Sequence, residues 1–156
     1  MRRSGQCFAF DRCAAFALES VEPRRRSKRL APMRQWRILI ADDEMDVQML
    51  LCLFFERQGH SMIRARDGVE AIAAAARYLP DIILMDIQMP HKTGIEAVQE
   101  LRADPRFVDT PILAITAHAR HFLPADIIRA GFDQIIFKPF DFAEVEARVD
   151  QAMQRR

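Results

Sequence analysis

Five polar residues stand where short apolar runs end: Asp42 and Asp43 after RILIA, Asp86 after IILM, Thr116 after PILAI and Lys138 after IIF. A carboxylate at the exit of a buried strand can be a nucleophile, a metal ligand or both; the plainer reading of Asp86 is a helix-capping residue. Each position alone is weak evidence. Together they occupy corresponding ends of successive strands, and in an open parallel sheet those ends converge on one rim, where such folds place their working residues. Three carboxylates brought together raise one another's pKa unless a cation intervenes. Oxygen ligands without His or Cys favour a hard ion, and coordination completed by water and phosphate suits Mg²⁺. Lys138 adds positive charge and Thr116 a hydroxyl donor. Such a site would neutralise a phosphoryl group passing in line to a carboxylate, with Asp86 the candidate nucleophile and an aspartyl phosphate the product.

The elements that must position these residues follow from periodicity. Residues 38–41 read as a short strand; Val47, Leu50, Leu51 and Phe54 then recur at helical spacing until Gln58-Gly59 closes the helix. Residues 61–65 are a weaker strand. Asp67 to Glu70 have the form of a capping box, and Val69, Ile72, Ala73 and Ala76 are the expected buried stripe of the next helix, which Pro80 stops. Residues 82–85 form an unbroken apolar strand that ends before Pro90 and Gly94. Thr93 to Glu96 supply a second capping box, with Ile95, Val98 and Leu101 inward. Residues 111–115 and 135–137 are the fourth and fifth strands. Between them a helix begins near Pro124 and ends by Gly131, and Asp141 caps a last helix with Phe142, Val145, Val149 and Met153 toward the sheet. Five strands alternating with five helices predict an α/β fold, a doubly wound five-stranded parallel sheet of flavodoxin-like (βα)5 form with right-handed crossovers.

Composition narrows the function classes. The chain has 156 residues, half of them apolar, a length that suits one domain. Its net charge of +1 hides an asymmetry: residues 1–34 carry nine basic against three acidic residues, whereas the remainder carries fourteen against nineteen. Only the basic arm could favour nucleic acid or an anionic membrane, and its VEPRRRSKRLAP cluster lacks interleaved aromatics. The arm is expected to be disordered. Met33 opens MRQWRILIADDE, which reads like a domain start, so an upstream misassigned start codon is one origin for the preceding residues. Cys7, Cys13 and Cys52 form no CxxC pair and fit free thiols in a reducing cytoplasm. No apolar stretch approaches the roughly 20 residues of a membrane span, and Asp11 with Arg12 interrupts any signal-peptide core. A cytoplasmic location is expected.

The segments ADDE (41–44), LMDIQMP (84–90) with Gly94, AITAHA (114–119), AGFD (130–133) and FKPF (137–140), in this order and spacing, resemble the receiver domain of bacterial two-component response regulators. The resemblance covers residues 37–153. With the chain ending at the fifth helix, no DNA-binding or other output domain is expected, and the chain is similar to a stand-alone receiver of the chemotaxis or cell-cycle type. The implied division is a basic extension, 1–34, and a receiver domain, 35–156.

The resemblance implies that Asp86 accepts a phosphoryl group from a sensor histidine kinase or a histidine phosphotransfer protein. It implies that Asp43 and Asp86 hold Mg²⁺ with the backbone carbonyl of Gln88, Asp42 acting through water, and that Thr116 and Lys138 bind phosphoryl oxygens. The Lys138-Pro139 bond would be cis. Gln88 and His118 would border the attacking water and tune the lifetime of the aspartyl phosphate, and a downstream protein would dock on the fourth helix, fifth strand and fifth helix. The family commonly has an aromatic residue three positions before the lysine; Ile135 stands there instead and offers no aromatic rotamer switch. Thr93 replaces the acidic or amide residue common before the glycine and serves as a helix cap.

Competing functions are weaker. A phosphatase of the Asp-nucleophile class needs a second Asp two residues on, where Gln88 stands. A DNA-binding regulator needs a reading module that the sequence does not show. His118 and His121 as a metal pair lack a third ligand. A phosphorelay intermediate, or a receiver scaffold that is never phosphorylated, would carry the same fold. The protein is expected not to be an enzyme.

Overall fold

A computed structural model describes residues 34–117 and 123–154. In chain order the elements are β1 (Arg37–Ala41), α1 (Met45–Arg57), β2 (Ser61–Ala65), α2 (Gly68–Tyr78), β3 (Ile82–Asp86), α3 (Gly94–Ala103), β4 (Ile112–Thr116), α4 (Pro124–Ala130), β5 (Gln134–Phe137) and α5 (Phe142–Gln154). The sheet order is β2-β1-β3-β4-β5, and every neighbouring pair is parallel. This is the expected doubly wound arrangement. A 3₁₀ turn, Pro105–Phe107, leads into β4 and was not anticipated from the sequence; it buries Phe107.

Alternation along the strands sorts the core into two layers. Leu39, Ala41, Ile83, Met85, Ile112 and Ala114 face α2, α3 and α4, where Ala71, Ala75, Ala97, Val98 and Ile127 meet them. Ile38, Ile40, Ile82, Leu84, Leu113 and Ile115 face α1 and α5, meeting Leu51, Phe55, Val145 and Val149. All five residues of β3 and of β4 are buried, which accounts for their continuous apolar runs.

The helix stripes depart from the expected ones. In α1 the buried residues are Gln48, Leu51, Cys52 and Phe55, whereas Leu50 is exposed. In α2 they are Gly68, Ala71 and Ala75, with Val69 and Ala73 exposed. An alanine-rich helix carries little periodic signal, and the sheet selects the face that approaches most closely, not the face with the largest side chain. The capping box at Thr93 is complete. At Asp67 only half forms: Asp67 Oδ1 accepts from the Glu70 N–H, but the Glu70 carboxylate accepts from Arg66 N–H, one residue upstream of the cap. The expected disordered extension lies outside the described residues, apart from Arg34. No helix among the described residues is long and apolar enough to cross a membrane.

The strand-entry end of the sheet is tied by one side chain. Arg102 Nε donates to the Gly131 carbonyl (2.8 Å), its Nη1 donates to the carbonyls of Phe107 (2.6 Å) and Thr110 (2.8 Å), and its Nη2 pairs with Asp133 Oδ2 (2.7 Å). Asp133 also accepts from the Ile112 N–H, which opens β4. At the same end, before β1, Trp36 stacks on His60 with ring centroids 4.9 Å apart, and the Trp36 N–H donates to His60 Nδ1.

Replacing Arg102 with Met leaves several carbonyls without their donor and should lower unfolding free energy by on the order of 3 kcal/mol in urea titration. Burial pushes the His60 imidazole below its ordinary value of 6.5, against the pull of Asp150 and Glu146. The fold therefore favours the neutral ring, and its contribution is complete above 6.5 and lost as pH falls toward the lowered folded value. Urea midpoints should decline from pH 7 to pH 5, and decline less in His60→Asn.

Candidate functional site

The strand exits bring Asp42, Asp86, Thr116 and Lys138 to one rim. Asp42, Asp86 and Thr116 are 2%, 6% and 0% exposed, whereas Asp43 is open to solvent. One carboxylate oxygen from each of Asp42, Asp43 and Asp86 lies within 4.8 Å of the others. Lys138 Nζ stands 2.8 Å from Asp42 Oδ2, 2.8 Å from Asp86 Oδ2 and 2.9 Å from Glu44 Oε1. The lysine thus bridges three carboxylates.

The two buried aspartates are held in the same way. Asp42 Oδ1 accepts from the Glu44 N–H at 2.9 Å and Asp86 Oδ1 from the Gln88 N–H at 3.0 Å. In each the turn takes one oxygen and leaves the other for Lys138. Burial raises the Asp42 carboxyl above the usual carboxylate range, opposed by its hydrogen bonds to Lys138 and to the Glu44 amide. Burial also disfavours the Lys138 ammonium, but hydrogen bonds to Asp42, Asp86 and Glu44 outweigh it and hold the lysine charged well above its ordinary pKa.

Thr116 closes β4 beside Asp86, where the register pairs Asp86 with Ile115 and Thr116 with Phe137. Its carbonyl accepts from the Lys138 N–H at 2.8 Å, and the Lys138-Pro139 bond is cis. Gln88 is exposed on the loop after β3. Ile135 is half-buried and packs on the layer facing α2, α3 and α4. His118 and His121 lie outside the described residues. Oxygen-only donors with three clustered carboxylates fit a hard divalent cation.

Sequence reasoning missed what holds the loop after β3. A Cβ on Gly94 would lie 2.1 Å from the Asp86 carbonyl oxygen, so helix α3 can start this close only with glycine there. Gly68 likewise faces the Lys92 carbonyl, to which its N–H donates at 3.0 Å. His91, at φ 60, pairs through Nδ1 with Asp67 Oδ2 at 2.8 Å. Glu44 and Gln48 were also passed over; a polar residue interrupting an apolar helix face was the available signal for Gln48.

A doubly wound domain with a lysine-bridged acidic rim has the architecture of a signalling receiver. The family model described as response regulator receiver domain matches residues 38–150, and the chain belongs to that family. It is 37% identical over 118 residues to the regulatory protein AtoC of Escherichia coli K12, covering 76% of this chain and 25% of AtoC. It is 37% identical over 119 residues to the alkaline phosphatase synthesis transcriptional regulatory protein PhoP of Bacillus subtilis, covering 76% of this chain and 49% of PhoP. The chain thus spans about half or less of the length of these relatives. Among solved structures, the receiver domain of the sensor histidine kinase PA1611 of Pseudomonas aeruginosa PAO1, with magnesium coordinated in its active-site cleft, superimposes with a TM-score of 0.72 at 28% identity, covering 77% of this chain and 98% of that one. The chemotaxis response regulator CheY4 of Vibrio cholerae gives 0.71 at 25% identity, covering 76% and 98%.

Substituting Gly94 with Ala forces the Asp86 backbone to move. We expect a loss of about 1–3 kcal/mol in urea unfolding, together with displaced amide resonances at Asp86 and Ile87.

Proposed function

We propose that residues 35–156 form a phosphoacceptor signalling module with Asp86 as acceptor, preceded by a basic extension over residues 1–34. The observation that carries this reading is the Lys138 ammonium set between the buried carboxylates of Asp42 and Asp86, beside Asp43. Asp42, Asp43, Asp86 and the Gln88 carbonyl would hold Mg²⁺, with Asp42 acting through water. The ion would neutralise negative charge on the transferred group.

The rest of the chemistry belongs to the chain. An Asp86 oxygen attacks phosphorus of a phosphohistidine; the new O–P bond forms as the N–P bond breaks, and the electron pair leaves on the donor imidazole. Lys138 moves from Asp86 Oδ2 to a phosphoryl oxygen, and the Thr116 hydroxyl donates to another. Gln88 would border the approach of hydrolytic water and tune the lifetime of the product, a role that His118, outside the described residues, would share.

The donor is a sensor histidine kinase or a histidine phosphotransfer protein, in a cytoplasmic setting. An exposed apolar stripe of Met45, Met49, Leu50 and Leu53 on α1 starts beside the rim and suits such a partner. Output runs through protein contact on α4, β5 and α5, where Ile128 and Phe137 are exposed. Ile135 stands where the family commonly has an aromatic residue, so no aromatic rotamer at that position links the site to this face. Onward transfer to a phosphotransfer protein would use the same acceptor.

Incubation with acetyl phosphate and Mg²⁺ should add about 80 Da by intact mass. The adduct should vanish with EDTA and in Asp86→Asn. No adduct in any condition would leave a receiver fold acting only as a binding scaffold.

A further inference from the structure

Helix α1 buries one polar side chain in its apolar face. Gln48 is 5% exposed, alongside the buried Leu51, Cys52 and Phe55. An apolar side chain of equal length would fill the space without removing an amide from water, so the amide demands polar partners. Its Nε2 donates to the Ala65 carbonyl at 2.6 Å and to the Asp42 carbonyl at 3.2 Å. The Ala65 carbonyl also accepts from the Asp42 N–H at 3.2 Å. Beyond the last rung of the β1–β2 ladder, the two chain exits are therefore joined through Gln48.

The polar groups of Asp42 are engaged from different directions. Its N–H goes to β2, its carbonyl is held by α1 through Gln48, its Oδ1 by the Glu44 amide, and its Oδ2 faces Lys138 at 2.8 Å. The first three contacts set where Oδ2 points. Of those three, only the one from Gln48 comes from a side chain.

We propose that Gln48 is a positioning residue that fixes the Asp42 backbone so that its carboxylate is pre-aimed at a water ligand of the divalent cation. This inference rests on the metal reading above and assigns the effect to the amide donor, not to side-chain bulk. Outer contacts of this kind typically govern metal affinity by tenfold or more.

The test titrates MgCl₂ into the ¹⁵N-labelled full chain and follows the amides of Asp42, Asp43 and Asp86, alongside Tm. Gln48→Met, which keeps length and loses the donor, should weaken Mg²⁺ binding about tenfold. Val149→Ala, in the α5 core away from the rim, should lower Tm and leave Mg²⁺ affinity unchanged. Gln48→Ala serves the same comparison where Gln48→Met does not fold. Wild-type affinity in Gln48→Met, or an equal loss in Val149→Ala, overturns the role of Gln48 and leaves the metal reading standing. No Mg²⁺-dependent shift in the wild type overturns the metal reading itself.

Discussion

One ammonium group keeps the rim together. Asp42 and Asp86 are almost wholly buried at neighbouring strand exits, where two like charges in a poorly solvated place would repel strongly. Lys138 answers both at 2.8 Å and reaches Glu44 as well. Removing one partner from such a cluster leaves an uncompensated buried charge, which is why the lysine, the aspartates and the turns that aim them form one unit. The exposed Asp43 brings a third carboxylate to within 4.8 Å of the two buried ones. Three clustered oxygen donors of this kind could hold a hard divalent cation.

The sheet exists to deliver these side chains. The continuous burial of β3 and β4 makes their register rigid, so Asp86 and Thr116 emerge at fixed heights. The close approach of Gly94 to the Asp86 carbonyl then sets the path of the following loop. The contacts of Gly68 and Asp67 with Lys92 and His91 fasten that loop to α2. Positioning at the rim is thus backbone work as much as side-chain work.

Most of the fold was legible because strands buried on both faces leave unbroken apolar runs, as at residues 82–85, and because glycine, proline and capping residues punctuate the helices. The polar residues at the strand exits could be seen for the same reason. The inward faces of α1 and α2 could not be read as easily. Leu50 and Val69 are large and apolar yet exposed, while Gln48 and Ala71 are buried, since close packing against a sheet rewards fit over hydrophobicity. Long-range contacts such as Arg102 with Gly131 and Asp133, or His91 with Asp67, leave no local periodic trace.

The Arg102 network lies at the opposite end of the sheet from the rim, joining the starts of β4 and β5 to the end of α3. The molecule is therefore divided lengthwise into an anchoring pole, where Arg102 ties several backbone carbonyls and Asp133 together, and a rim that gathers carboxylates around one lysine. Such a division allows thermal robustness and signalling chemistry to drift separately over evolution. A lineage can reinforce one pole without detuning the other.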